Sequence, residues 1–191
     1  MELLQPDLLD AKMMDASWSA ISGARSEFRW HLGRRWDDRP LMLVVGHNPS
    51  TADSEREDPT TRRWAHFARA WGHGGYIAVN LYPYRATDVD RLYHWRDGYM
   101  ESSEVDVGIA MSRNLDVVHE MAERCERVVA CWGDLAREPG WVDAIVRRLR
   151  SARPNLHCFG YTKGGAPKHV MARGKSRVPD DAQPIPYPPL A

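Results

Sequence analysis

Five consecutive apolar residues, Leu41 to Val45, stop at Gly46 and give way to the polar run His-Asn-Pro-Ser-Thr-Ala-Asp. So short an unbroken apolar run suits a strand buried on both faces of a parallel sheet, with the glycine where the chain must turn sharply. The loop beyond it carries His47, Asn48, Ser50, Thr51, Asp53 and Asp58, and it ends in Asp-Pro-Thr, a combination that starts a helix well. Open α/β sheets bind ligands at the carboxyl ends of their strands, which makes this loop a candidate site. An ordinary capping turn uses only one or two such side chains.

Three further apolar runs repeat the theme: Tyr76–Asn80, Val128–Gly133 and Leu156–Gly160. Thr60 to Gly72 places Trp64, Phe67, Ala68 and Trp71 on one helical face, so the first two strands and this helix form a βαβ unit. Ser102 or Ser103 is expected to cap a helix running to about Cys125, and Trp141 to Ala152 reads as another. Apolar spacing over Met1–Gly23 predicts a covering helix, and Phe28–Trp36, where aromatic and basic residues alternate, predicts a charge-coated edge strand or a nucleic-acid-binding patch. Asp90–Tyr99 reads as irregular. These elements predict a three-layer α/β/α sandwich with a central, mostly parallel four-stranded sheet, in one domain over residues 1–177 with a proline-rich tail over 178–191 extended on the surface.

Net formal charge is zero, yet Arg147 to Arg177 holds nine Lys or Arg and no Asp or Glu. A basic surface on a neutral protein suits a phosphate-bearing partner. Within it, Tyr161–His169 is a glycine-containing loop with Lys163 and Lys168, and Arg173 and Lys175 follow. Most of the eight Trp are expected in the core. Cys125, Cys131 and Cys158 lack zinc or iron–sulfur spacing and read as reduced, buried cysteines of an intracellular protein. The N-terminus lacks the pattern of a signal peptide, and no apolar run is long enough to span a membrane, so a cytoplasmic location is expected; a monomer is expected as well.

By this topology the Asn48 and Asn80 loops open on the same edge of the sheet, although Asn80 also fits a strand-end turn. The cluster lacks a dinucleotide or Walker fingerprint, and Ser50 lacks a nucleophile elbow. His47, His66, Asp53 and Asp58 match no common metal spacing, so neither metal nor organic cofactor is expected. Amides, a histidine and a basic wall remain. They suit the positioning of water and the stabilisation of a leaving group beside a phosphate backbone.

The run GHNPSTAD…DPTTRRWAHFARAWG…AVNLYPYRATD, followed by ACWG and GYTKGGAPKH, resembles the bacterial and phage family catalogued as domain of unknown function 1643. That family is in turn similar to the uracil-DNA glycosylase superfamily, whose mismatch-specific members carry Gly-Ile-Asn-Pro-Gly where Gly46-His47-Asn48-Pro49-Ser50 stands here. The resemblance implies that Asn48 positions the attacking water, that Asn80 reads a flipped pyrimidine, and that His169 supports the departing base. Val170 follows His169 where uracil-specific members have Pro, and the first motif offers an amide where family-one enzymes use Asp. An amide cannot act as a general base, so the glycosidic bond must largely break before water attacks, and backbone amides together with His169 are expected to stabilise the leaving anion.

The expectation from sequence is therefore a DNA glycosylase acting on a flipped base. Catalysis would fall to Asn48 and His169, substrate contacts to Gly46, His47, Ser50, Asn80, Tyr82, Tyr84 and Arg85, and DNA contacts to Lys163, Lys168, Arg173 and Lys175. Uracil-specific members block pyrimidine C5 with a Tyr after Asp-Pro; Ser50 at the matching position leaves room for a C5-modified pyrimidine, such as the hydroxymethylated or glucosylated cytosine of phage DNA, and hence for a role in phage defence. Two other readings use the same residues: a hydrolase or transferase acting on a free nucleotide or nucleoside, and a non-catalytic nucleic-acid-binding module.

Overall fold

The computed structural model describes residues 16–23, 26–50, 55, 57–99 and 106–188. Four parallel strands form the middle of one mixed sheet: β3 (Leu41–Gly46), β4 (Gly75–Asn80), β5 (Arg127–Ala130) and β6 (Leu156–Cys158). These are the four strands expected from the apolar runs. Among the described residues the sheet is seven-stranded where four strands were expected, because three antiparallel strands extend it: β1 (Ala16–Ser22), β2 (Phe28–Arg35) and β7 (Ile185–Pro186), giving the order β1-β2-β4-β3-β5-β6-β7.

Alternate residues of the central strands enter separate cores. Leu43, Val45, Ile77 and Val79 pack with Leu92 and Trp95 of α2 (Val89–Arg96), Val118 and Met121 of α3 (Val107–Glu123), and Ile145 and Leu149 of α4 (Pro139–Ala152). Met42, Val44, Tyr76 and Ala78 pack with Trp64, Phe67 and Ala68 of α1 (Pro59–Ala70). The result is three layers. It follows from strands that are apolar on both faces and helices that are apolar on one.

Several local expectations are corrected. Ala16–Ser22 is a strand where the spacing predicted a helix, while residues 1–15 lie outside the described residues. The segment Phe28–Arg35 is a strand, but an interior one between β1 and β4, with seven of its eight residues buried. Its ladder skips Trp30: Ala20 faces His31 and Ile21 faces Arg29, so the extra residue bulges and the alternation reverses. Phe28 and Trp30 therefore join the α3 side and Leu32 the α1 side. Val89–Arg96 is helical, capped by Asp88, where an irregular stretch was expected. Asp106 caps the described part of α3 through a bond from Ile109 N at 3.1 Å, and the expected caps Ser102 and Ser103 lie outside the described residues.

The tail is extended, but it is tied down. Ile185–Pro186 pairs with β6, Val178 is buried, and Arg63, His66 and Trp71 of the α1 region bond the carbonyls of Val178, Asp180 and Ala182.

One buried polar residue braces the end of β4. Asn114 of α3 is fully buried, and its Nδ2 donates to the carbonyls of Asn80 and Leu81, both at 3.0 Å. Asn114→Leu keeps the branched shape but withdraws both donors, so urea unfolding should show a loss of about 1–3 kcal/mol with an unchanged denaturant slope. A midpoint equal to that of the parent would show that the brace contributes nothing to stability.

Candidate functional site

The parallel register of β3 and β4 sets Gly46 opposite Asn80, and the pairing continues past the strand ends through Leu81 N to Gly46 O and Tyr82 N to His47 O. At this edge of the sheet lies a cavity of about 440 Å³. Gly46, His47, Asn48 and Ser50 line it from the β3 loop, Asn80, Ala86 and Thr87 from the β4 loop, Trp132–Leu135 from the β5 loop, and Thr162, His169, Met171, Ala172 and Ser176 from the chain after β6. Arg29 of β2, and Thr60 and Trp64 of α1, complete the wall.

Gly46 serves by having no side chain. A Cβ there would sit 2.7 Å from Asn80 Oδ1, so the glycine makes room for the Asn80 amide. Asn80 is 1% exposed, and its Nδ2 has no hydrogen-bond partner among the described residues. Such a buried donor costs stability unless a ligand or water meets it.

The Asn48 amide is held in one orientation. Its Nδ2 donates to Ala86 O at 2.7 Å and Pro49 O at 3.2 Å, which turns Oδ1 to His47 Nδ1 at 2.9 Å. The proton of that bond must come from the imidazole. Burial holds the pKa of His47 below the ordinary histidine value, so the ring is neutral at pH 7 with its proton on Nδ1, and its Nε2 lies 3.3 Å from the Tyr93 hydroxyl. Asn48 Oδ1 retains one lone pair for a water or ligand.

His169 has the opposite tautomer. Its Nδ1 accepts from Met171 N at 3.2 Å, and burial followed by the neighbouring His47 lowers its pKa, which leaves a neutral ring with its proton on Nε2. No described residue bonds that Nε2, so the cavity has a second donor. The loop is clamped by Gly133 N donating to Pro167 O, Lys168 N to Gly160 O and Val170 N to Cys131 Sγ. Gly133 N–H is thereby spent inside the protein and is not a donor to the cavity. The three cysteines are free and buried, as expected, with the Cys131 thiol pushed up to about 12 by burial.

Charge at the site comes from residues that sequence reasoning placed elsewhere. Arg29, expected on an exposed edge, is 2% exposed on the cavity wall, and burial followed by the nearby Arg85 lowers its pKa to about 10, so it stays cationic. Its signal was the alternation of Phe28, Arg29, Trp30 and His31, which an interior strand with buried basic residues also produces. Ser50 Oγ donates at 2.6 Å to Asp58, the N-cap of α1. Burial alone would raise the Asp58 pKa, but hydrogen bonds from Ser50 and the Thr61 and Thr60 amides and the Arg29 charge bring it below the ordinary value.

The remaining predicted contacts lie outside the cavity lining. Tyr82 is fully buried and donates to Glu138 at 2.9 Å; Tyr84 is buried and stacks on Trp95 at 4.9 Å; Arg85 bonds the carbonyls of Ser26 and Ser50. Lys163, Arg173 and Lys175 are exposed beside the cavity-lining Thr162, Ala172 and Ser176, and Lys168 lies half-buried over Gly160. The helical part of the basic stretch belongs to another surface, where Arg148 pairs with Asp116 of α3 at 3.0 Å. Thr51 and Asp53 lie outside the described residues. Among the described residues no three His, Cys, Asp or Glu side chains are grouped to hold a metal ion, and no helix is long and apolar enough to cross a membrane.

Together the strand-end loops present two donors without a partner among the described residues and an oriented amide oxygen, and the buried Arg29 of β2 adds a cation to the wall of the same cavity. A match over residues 29–171 shows that the chain belongs to the family described as protein of unknown function (DUF1643). The matched span contains Asn48, Asn80 and His169. No curated protein and no solved structure matches the chain.

The tautomers can be read directly. Two-bond ¹H–¹⁵N spectra at pH 7 should show the proton of His47 on Nδ1 and that of His169 on Nε2; the reverse pattern would break the orientation argued for Asn48. Both pKa values lie below the unfolded value, as does that of His31, which burial lowers to about 4. The unfolded chain therefore binds more protons once the pH falls below about 6.5. Stability should be full above that pH and decline toward pH 4, seen as a lower urea midpoint at pH 5 than at pH 7.

Proposed function

We propose that the chain is a DNA glycosylase that hydrolyses the N-glycosidic bond of a flipped, C5-modified pyrimidine. The observation that carries this reading is the convergence of Asn48, Asn80 and His169 on one cavity. Its volume falls within the ~300–1,000 Å³ of small-ligand pockets, enough for a base extruded from a duplex. The parallel four-stranded core with these residues at its carboxyl edge is also the arrangement implied by the resemblance to uracil-DNA glycosylases.

In this mechanism Asn80 Nδ2 donates to an acceptor on the base edge, which satisfies the buried amide. The bond between the sugar C1′ and the base nitrogen breaks first, and its electron pair leaves with the base. His169 Nε2–H donates a hydrogen bond to that anion, and the Arg29 charge on the cavity wall lowers its energy. Water held by Asn48 Oδ1 then adds to the oxocarbenium carbon and loses its proton to solvent, so no general base is needed before the bond breaks. The departing anion takes up a proton from solvent, and the products are the free base and an abasic site. Lys163, Arg173 and Lys175, beside the mouth of the cavity, suit the flanking phosphates. The small Ser50 side chain on the wall leaves space for a substituent at C5, and the hydroxymethylated or glucosylated cytosines of phage genomes fit such a pocket. A defence role follows from that substrate.

One observation favours a second reading. A buried arginine in a cavity also suits the phosphate of a free nucleotide, so the same site would serve a nucleotide or nucleoside hydrolase or transferase.

The test is to incubate the protein with DNA from unmodified and base-modified phages and look for alkali-labile breaks. Asn48→Ala should lower single-turnover release by at least about 100-fold while leaving DNA affinity near that of the parent, because only the water is misplaced. Affinity should fall steeply with salt, and Lys163→Ala with Arg173→Ala should flatten that slope. Turnover of free nucleotides with no affinity for duplex DNA would establish the second reading, and DNA binding without release would indicate a non-catalytic module.

A further inference from the structure

Ser50 stands at a junction. With Ala86 and Thr87 it lines both the main cavity and an adjoining polar cleft of about 250 Å³ that Arg85 and Arg91 border. A group meeting Ser50 is therefore one that extends from a ligand in the cavity toward the cleft.

The direction of the Ser50 hydrogen bond is fixed from outside the cavity. Asp58 uses one carboxylate oxygen to accept Thr61 N at 2.8 Å, and its own N–H bonds Thr61 Oγ1 at 2.9 Å, a reciprocal cap that locks the first turn of α1. Its other oxygen, Oδ2, accepts the Ser50 hydroxyl at 2.6 Å. A carboxylate anion has no proton to give, so the only hydroxyl proton of Ser50 points at Asp58. What Ser50 turns toward the cavity is lone pairs alone. The backbone just before it is held as well, since Pro49 O accepts Ala86 N at 3.2 Å, and turning the hydroxyl to a ligand of the opposite polarity would break its bond to Asp58. Asn80, by contrast, offers a donor.

We infer that the substrate carries an exocyclic N–H or O–H that donates to Ser50 Oγ, and that Asp58, which touches no substrate, imposes this requirement as a positioning residue. The inference deepens the glycosylase reading and rests on it for the assignment of the cavity to a base. Two groups on a modified pyrimidine have the required chemistry: the amine at C4 of cytosine and a hydroxyl carried on C5. Thymine has neither.

Four substrates separate the two sources. 5-Hydroxymethylcytosine carries both groups, 5-methylcytosine the amine alone, 5-hydroxymethyluracil the hydroxyl alone, and thymine neither. Each is placed in the same duplex for single-turnover release and supplied as the deoxynucleoside for binding calorimetry. The parent protein should favour a donor-bearing base over thymine by about tenfold or more, the size of one well-made buried hydrogen bond. Preference for both cytosines assigns the amine, and preference for both hydroxymethyl bases assigns the hydroxyl. Asp58→Asn is the decisive variant. Asparagine is an equally good N-cap, and its Oδ1 can keep Thr61 N while its Nδ2 donates to Ser50, which frees the serine proton to point into the cavity. The preference over thymine should then collapse to within about twofold or reverse. Ser50→Ala should reduce the preference without reversing it, and it leaves the helix cap untouched should Asp58→Asn unfold the protein.

Release that ranks the four bases without regard to the exocyclic donor, or a ranking unchanged in both variants, overturns the inference and leaves the glycosylase reading standing. No release from any duplex, with nucleoside binding that still sorts by donor and loses the sorting in the variants, overturns the glycosylase reading and sustains the inference. Failure to bind or release any of the four overturns both.

Discussion

The parallel ladder between β3 and β4 is the constraint on which the rest of the site depends. It pairs Gly46 with Asn80, so the two loops leave the sheet side by side, and their backbones stay hydrogen-bonded for two residues beyond the strands. Any side chain at position 46 would occupy the space of the Asn80 carboxamide. The backbone of Asn80 is held from behind by the Asn114 brace to its carbonyl. A buried helix residue, a glycine and the strand register thus define where one donor sits.

The polarity of the cavity is set from its outer side. Carbonyls of Pro49 and Ala86 orient Asn48, and Asn48 in turn selects the tautomer of His47. The amide of Met171 selects the tautomer of His169, and Asp58 selects the direction of the Ser50 hydroxyl. None of these bonds involves a ligand. A cavity whose donors and acceptors are fixed in advance loses little in reorganisation when a substrate binds or charge develops, which is the usual physical basis of electrostatic catalysis. Burial contributes in the same direction, because it keeps both imidazoles neutral and each able to donate one hydrogen bond.

How much of this was legible in the sequence follows from the range of the interactions involved. The four parallel strands and α1 could be read because an apolar run or one apolar helical face is a local signal. Asn48 and Asn80 could be placed at one edge because strand direction alone puts them there, whereas His169, in a long loop after β6, was singled out by the resemblance and is brought to that edge by the clamp from Gly133 and Cys131. Phe28–Trp36 could be read as a strand but not as an interior one: its bulge at Trp30 reverses the alternation, and buried Arg29 and Arg34 imitate a solvated edge. The strand at Ala16–Ser22 depends on pairing with β2, and helix α2 on burying Leu92, Tyr93 and Trp95, both nonlocal facts. Tyr82 and Tyr84 were assigned to a ligand because aromatic residues near a site bury area against any neighbour; the neighbours here are Glu138 and Trp95. Asp58 was visible as a helix cap, but its bond to Ser50 spans a loop that no periodicity describes.

The site is begun by the first parallel strand and closed by the last third of the chain. Met171, Ala172 and Ser176 line the cavity, and directly beyond them Val178 enters the core beside α1 while Arg63 and Trp71 bond carbonyls of the tail. The tail then crosses the edge of β6 as β7, so its anchors lie on both α1 and the sheet. His169 sits between these anchors and the clamp formed by Gly133 and Pro167, and a shift of the tail would move Met171 N, the group that fixes its tautomer. Helix α1 carries the other half of the device, since its N-cap Asp58 orients Ser50 while its outer face holds the tail. One helix therefore couples the polarity of the first loop to the position of the last, and the neutral histidine and the fixed serine acceptor depend on the same packing.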